Sequence, residues 1–143
     1  MKPEPHHRDA YPHQLTIPTR WADCDRYGHV NNSVFYFYFD TVVNRWLVEN
    51  GLLSLQDPDR IGLVVDTQCS FFAPIDFPED IIAGLRVARI GKSSVTYEIA
   101  LFTDGDTAKA QGHFTHVYVD AATHRPVPLD AAMRNALSTL QVG

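Results

Sequence analysis

The sequence predicts an α+β domain in which one antiparallel sheet packs over one long helix. A dense run of aromatic and aliphatic residues, Ser33 to Glu49, has helix-bounding chemistry at both ends. Four strand-like runs follow it between residues 61 and 119, and the tight breaks between the later ones favour antiparallel pairing. With 143 residues and 45% hydrophobic content, the chain has enough material for one core and no room for a second domain.

The elements can be justified in order. Residues 1–10 read as a flexible leader, and residues 11–143 as the single domain. Met1 to His13 holds three prolines and three histidines, which is unlike the apolar core of a signal peptide. Leu15 to Trp21 is expected as a first strand that delivers the Asp23 to His29 loop. Asn31 or Asn32 can then cap a helix through its side-chain carbonyl, and Asn50-Gly51 supplies the stop. The apolar surface of that helix covers more than one stripe, so the helix requires wrapping. Strands are expected over Ile61–Phe72, Asp80–Ile90, Ser94–Thr103 and Lys109–Val119, broken at Ala73-Pro74, Phe77-Pro78, Gly91-Lys92 and Asp104-Gly105-Asp106. Pro126 to Pro128 introduces a short last helix, Asp130 to Leu140.

Composition narrows the function. Lys and Arg number 12 against 17 Asp and Glu, a net charge of −5, which argues against a nucleic-acid or anionic-membrane partner. No apolar run reaches the length of a membrane span. Cys24 and Cys69 make no disulfide framework, and a reducing cytoplasm is the expected location. Gly91-Lys92-Ser93 looks like the tail of a phosphate-binding loop, yet the position that needs glycine is Arg86, so a nucleotide-binding reading fails. His113 and His116 lie three apart on an expected strand, on opposite faces, and no metal site is expected there or elsewhere.

The chemistry concentrates in Asp23-x-Asp25-x-x-Gly28-His29-Val30-Asn31-Asn32. It sets carboxylates just ahead of a helix N-terminus, whose unpaired backbone N–H groups can meet a developing oxyanion. The pattern resembles the thioesterases of the 4-hydroxybenzoyl-CoA thioesterase-like branch of the hotdog superfamily, a resemblance that extends over nearly the whole chain. The resemblance implies the hotdog fold, a five-stranded sheet wrapped round a central helix, and hydrolysis of an acyl-CoA to a carboxylic acid and free coenzyme A. No cofactor is expected beyond the coenzyme A of the substrate.

Within that family pattern the second Asp is catalytic, which assigns the role to Asp25 as nucleophile or as general base on a water. Asp23 is then a neighbour, and either Asp can instead be a loop residue tying backbone amides. The Asn32 N–H, with Ser33 nearby, is the expected oxyanion donor. Asn32, Tyr36 and Asp40 share one helix face, and the related enzymes also carry an acid at the position of Asp40. A carboxylate in so apolar a helix needs a partner such as Arg45 or a backbone amide, or a wet cavity. Gly28, His29, Asn31, Ser33 and Tyr36 complete the expected substrate-contacting set, His29 chiefly as a loop-ordering hydrogen bonder. By the same analogy Arg89, Lys92, Ser93 and Ser94 meet the nucleotide end of coenzyme A, with Arg86 a candidate addition to a basic patch. Phe35, Phe37, Phe39 and Phe71 line an acyl pocket or are simply core.

Rival readings are an acyl-carrier-protein thioesterase, a dehydratase or isomerase with a His base, and a non-catalytic acyl-CoA-binding protein on the same fold. A sheet curled round one helix leaves strand edges open. The related thioesterases join subunits edge to edge, so a homodimer or homotetramer with active sites at the subunit junction is expected.

Overall fold

A computed structural model describes residues 2–142. Strand β1 (His13–Pro18) is followed by a single 3-10 turn at Trp21–Asp23 and helix α1 (Val34–Glu49). Strands β2 (Arg60–Phe71), β3 (Asp80–Ile90), β4 (Ser94–Phe102) and β5 (Ala110–Asp120) come next, then helix α2 (Ala131–Ser138). One sheet contains all five strands in the order β1-β3-β4-β5-β2, with every neighbouring pair antiparallel. This is the α+β hotdog arrangement.

Helix α1 lies on the concave face because its buried side chains, Phe35, Tyr38, Phe39, Val42, Val43, Trp46 and Leu47, recur at helical spacing. They join Leu85, Val87, Tyr97, Ile99 and Phe114 from the sheet in one core. Phe35 also packs on Phe71 with ring centroids 5.1 Å apart, while Phe37 points outward at 62% exposure. Of the four phenylalanines considered for an acyl pocket, Phe35 and Phe39 are therefore core. Helix α2 closes one end of the sheet. Asp130 caps it by accepting from the Met133 N–H at 2.8 Å, and Met133 and Leu137 are buried beneath it.

Two boundaries differ from expectation. Strand β1 ends at Pro18 rather than Trp21, because Asp23 accepts the Arg20 N–H at 2.9 Å and winds the next residues into the 3-10 turn. The leader expected at residues 1–10 is instead tied down over residues 2–10. His6 N–H donates to Gln111 Oε1 at 2.7 Å, Arg8 N–H to the Asp106 carbonyl at 2.8 Å, and Ala108 N–H to the His6 carbonyl at 3.0 Å. The segment ends in Tyr11, buried edge-on against Phe102 over Gly84, where a Cβ would come within 2.8 Å of the Tyr11 side chain.

The concave face also carries a polar cluster that no motif announced. The Tyr97 and Tyr118 hydroxyls are 2.7 Å apart, and His116 Nδ1 lies 3.2 Å from the Tyr118 hydroxyl. Burial pushes the His116 imidazole down to about 4. The unfolded chain, titrating near 6.5, therefore binds the proton more readily than the native one. The neutral ring's contribution to stability is complete above pH 6.5 and is lost as pH falls towards 4, up to about 3 kcal/mol. His116→Gln should flatten the pH dependence of chemical denaturation across that window, and an unchanged slope would count against a buried neutral His116.

Candidate active site

The site begins with a buried carboxylate. Asp23 is 1% exposed, and its oxygens accept from Arg20 Nε at 2.9 Å, Arg20 Nη2 at 2.7 Å and the Tyr38 hydroxyl at 2.7 Å. Burial alone would raise its pKa. The Arg20 and Tyr38 hydrogen bonds outweigh that and hold it below the ordinary carboxylate value. Asp23 is thus neutralised by Arg20 and used to fasten the end of β1 to helix α1. Its carbonyl also accepts the Asn31 N–H at 2.8 Å, which closes the loop between them.

Asp25 sits on the turn that this closure creates. Cys24 bridges Val30, Asp25 N–H donates to the His29 carbonyl at 2.8 Å, and Gly28 takes φ +84°, a left-handed conformation suited to glycine. One carboxylate oxygen of Asp25 accepts the N–H groups of Tyr27 at 2.8 Å and His29 at 3.3 Å. Among the described residues the other oxygen has no partner. Asp25 therefore does the loop-ordering work of an Asx turn with one oxygen and leaves the second unengaged. It lines an open cleft of about 580 Å³ with Trp21, Cys24, Arg26, Gly28 and Phe77. Trp21, 79% exposed, meets Phe77 edge to face at 5.8 Å and forms the aromatic wall.

The helix start follows directly. Asn31 is the residue that caps it: Asn31 Oδ1 accepts Ser33 N–H at 3.0 Å and the Ser33 hydroxyl at 2.9 Å. The carbonyls of Asn31 and Asn32 take the N–H groups of Val34 and Phe35. Ser33, the last residue before the helix, makes no side-chain cap bond of its own. Among the described residues the backbone N–H of exposed Asn32 meets no acceptor. His29 is held from outside the motif, its Nδ1 2.5 Å from Asp76 Oδ1.

The remaining expected residues fall elsewhere. Tyr36 and Asp40 line a second, largely apolar cleft of about 230 Å³ with Phe39, Val64, Thr67 and Phe114. Partial burial pushes the Asp40 carboxyl up, though the residue keeps an exposed surface. The expected partner Arg45 pairs with Glu49 at 3.5 Å instead. The two clefts share no lining residue, so Asp25 and Asp40 are not brought together within one chain. Arg89 and Lys92 are exposed on the β3–β4 hairpin, with Ser93 and Ser94 half-buried beside them. That hairpin is tied to the C-terminal segment, Leu129 N–H donating to the Lys92 carbonyl and Arg134 to the Gly91 carbonyl, both at 2.9 Å. Arg86 does not join its basic patch: Nε pairs with Glu98 Oε1 at 2.7 Å, and the guanidinium lies over the Tyr11 ring. His113 bonds Asp66, and His116 lies in the core. Among the described residues no three His, Cys, Asp or Glu side chains group to hold a metal, and no helix is long and apolar enough to cross a membrane.

Sequence reasoning missed three contributors. Trp21 stands next to the motif but reads as the end of a strand. Phe77 and Asp76 lie in a loop marked in the sequence only by its prolines, and nothing local signals that the chain returns there to Asp25 and His29.

The site thus sets a carboxylate with one unpartnered oxygen on a turn that leads into a helix start whose Asn32 N–H meets no acceptor among the described residues. The sequence profile of the thioesterase-like superfamily matches residues 19–137, and the chain belongs to that superfamily as a thioester hydrolase. Among solved structures it is similar to the PA5185 protein of Pseudomonas aeruginosa PAO1, with 48% identity, 97% of this chain and 98% of that chain covered, and a TM-score of 0.94. It is also similar to a thioesterase of Thermus thermophilus solved with coenzyme A and Zn, at 26% identity, 92% and 96% coverage and a TM-score of 0.77. A 1,4-dihydroxy-2-naphthoyl-CoA thioesterase of Synechocystis shares the fold at 20% identity, 88% and 96% coverage and a TM-score of 0.76. No curated protein matches.

Because Asp23 is a buried anion with few donors, Tyr38→Phe should cost about 1–3 kcal/mol by leaving a carboxylate lone pair unmet. Its stabilising share exists only while Asp23 is ionised: it is present above the unfolded carboxylate value near 3.9 and lost as pH falls through the lower folded value. Denaturation of Tyr38→Phe and the parent at neutral and strongly acid pH checks this, and a gap that persisted undiminished in acid would contradict it.

Proposed function

We propose that the protein hydrolyses acyl-CoA thioesters, with Asp25 as nucleophile or general base and the Asn32 backbone N–H as oxyanion donor. The observation that carries this reading is the pair of unused groups on one turn, the second Asp25 oxygen and the Asn32 N–H. Asn32 is exposed and Asp25 half-buried, so both groups are open to a ligand rather than spent within the loop. Asp25, or a water whose proton Asp25 accepts, adds to the thioester carbonyl carbon. The negative charge that develops on oxygen meets the N–H dipole at the helix start. The bond to sulfur then breaks and coenzyme A leaves. This reaction needs no metal or redox group.

The second cleft belongs to the same reading through assembly. Strand β2 is a sheet edge, and its exposed Leu63, Val64 and Val65 form an apolar stretch with unpaired backbone groups. A second copy pairing there would cover that edge and bring a partner surface against Tyr36 and Asp40, whose cleft β2 itself lines. The working form is then a homodimer or homotetramer with active sites at the subunit junction. Gly28, His29, Asn31 and Ser33 shape the reacting end, and Arg89, Lys92, Ser93 and Ser94 meet the nucleotide end. Coenzyme A bound to the Thermus thioesterase supports that substrate class over an acyl-carrier protein.

Thiol release on a panel of acyl-CoAs tests the reading. Asp25→Asn should lower kcat by roughly a hundredfold or more with binding retained, and Asp23→Asn should act mainly on stability. Near-normal turnover in folded Asp25→Asn would refute the assignment. Asn32→Pro, which deletes the N–H, should cost far more than Asn32→Ala, up to roughly a thousandfold. Neutralising Arg89 and Lys92 should raise KM for acyl-CoA and spare a truncated pantetheine thioester, whereas equal losses on both would make these residues structural. Sedimentation at micromolar concentration should give a dimer or larger, and a fully active monomer would remove the shared site.

A further inference from the structure

We propose that Asp76 positions His29 as the acid that protonates the departing thiolate sulfur, an inference that rests on thioester hydrolysis at Asp25 as set out above. The contact joins residues 47 apart in sequence, His29 Nδ1 to Asp76 Oδ1 at 2.5 Å. The backbone already joins the two segments: His29 bridges Asp76, and Val30 N–H donates to the Ile75 carbonyl at 2.8 Å. The loop is therefore pinned without the ring, and the side-chain contact adds orientation rather than closure.

Three features give that orientation a direction. With Nδ1 committed to the carboxylate, Nε2 is the nitrogen left to act, and among the described residues nothing meets it. The side chain is 49% exposed and belongs to the residue next to Gly28, which lines the Asp25 cleft. The backbone N–H of the same His29 donates to Asp25 Oδ1 at 3.3 Å, so ring and catalytic carboxylate are carried by one turn. Asp76 is itself fixed, its N–H donating to Glu79 Oε1 at 2.9 Å while its carbonyl accepts the Glu79 N–H at 2.9 Å. This is the arrangement in which a carboxylate fixes the orientation of an imidazole.

The step balances. When the tetrahedral species collapses, the carbon–sulfur bond breaks and its electron pair goes to sulfur, which takes the proton from His29 Nε2. The neutral imidazole recovers a proton through solvent, equivalent to the one released by the attacking water. The products are a carboxylic acid and a free thiol. Where Asp25 attacks directly, the same protonation releases the thiol and leaves a mixed anhydride on Asp25, which water then hydrolyses to the carboxylic acid and free Asp25, supplying the proton that restores His29.

The test varies the leaving group. An alkyl thiol such as pantetheine has a pKa like that of cysteine, about 8.5, and leaves more easily with a proton, whereas an aryl thiol is a far weaker base and leaves as the anion. His29→Gln should lower kcat roughly a hundredfold on an acyl-pantetheine thioester and less than about tenfold on the S-aryl thioester of the same acyl group. Asp76→Asn, an isosteric change, should show the same bias at about tenfold on the alkyl substrate. Equal losses on the two substrates, or no loss on the alkyl one, would overturn the inference. Asp25→Asn is the control that separates it from its parent reading: that variant should fail on both substrates, and if it did not, hydrolysis at Asp25 would fall instead.

Discussion

The site depends on one buried carboxylate, Asp23, paired at the surface with the largely exposed Arg20. Asp23 lies in the core's margin with an oxygen on Arg20, another on Tyr38, and its carbonyl on the Asn31 N–H. Burying a carboxylate is costly unless it is paired and hydrogen-bonded, and here the pairing fastens three pieces of chain to one point. The end of β1, the turn that carries Asp25 and the start of α1 all meet there. Remove the anion or its donors and the turn keeps its tie to the Ile75–Asp76 segment but loses its tie to β1 and helix α1. The motif's first Asp is the anchor, and its second keeps one carboxylate oxygen without a partner among the described residues.

That division explains how two carboxylates so close in sequence have different fates. Asp23 is held below the usual carboxylate range by Arg20 and Tyr38. Asp25 spends one oxygen on the N–H groups of Tyr27 and His29 and leaves the other facing a cleft walled by Trp21 and Phe77. Preorganisation of this kind has its cost met during folding, and on the proposed reading the Asn32 N–H would need no rearrangement when charge develops on the substrate. Asp40 follows a different logic. It sits without an ion-pair partner on the far side of Phe39, in a cleft that the edge strand β2 completes.

How much was legible in the sequence follows the range of the interactions. Helix α1 was readable because its apolar residues and its bounding Asn31 and Asn50 are local, and strands β2 to β5 were readable from alternation and turn chemistry. The turn at Asp25 was readable as an Asx turn for the same reason, while its catalytic role rests on the family resemblance. The anchor role of Asp23 was not readable, since Tyr38 reaches it only after the chain has turned into the helix. Arg86 looked available for a basic patch with Arg89 and Lys92 but is taken by Glu98 on the neighbouring strand and by Tyr11. The polar leader looked free because composition conceals backbone bonds to residues 106–111 and the burial of Tyr11. Asp76 lies 47 residues beyond His29 in sequence, and only the fold makes them neighbours.

The central claim is that the thioester carbonyl sits between Asp25 and the N–H of Asn32. A crystal structure with a non-hydrolysable acyl-CoA analogue, its sulfur replaced by methylene so that the ketone mimics the thioester, tests this most directly. The account predicts the ketone oxygen about 3 Å from the Asn32 nitrogen, with the unpartnered Asp25 oxygen or a water it holds facing the carbonyl carbon. A ketone oxygen bound to some other donor, with residues 31–33 out of reach, would contradict it.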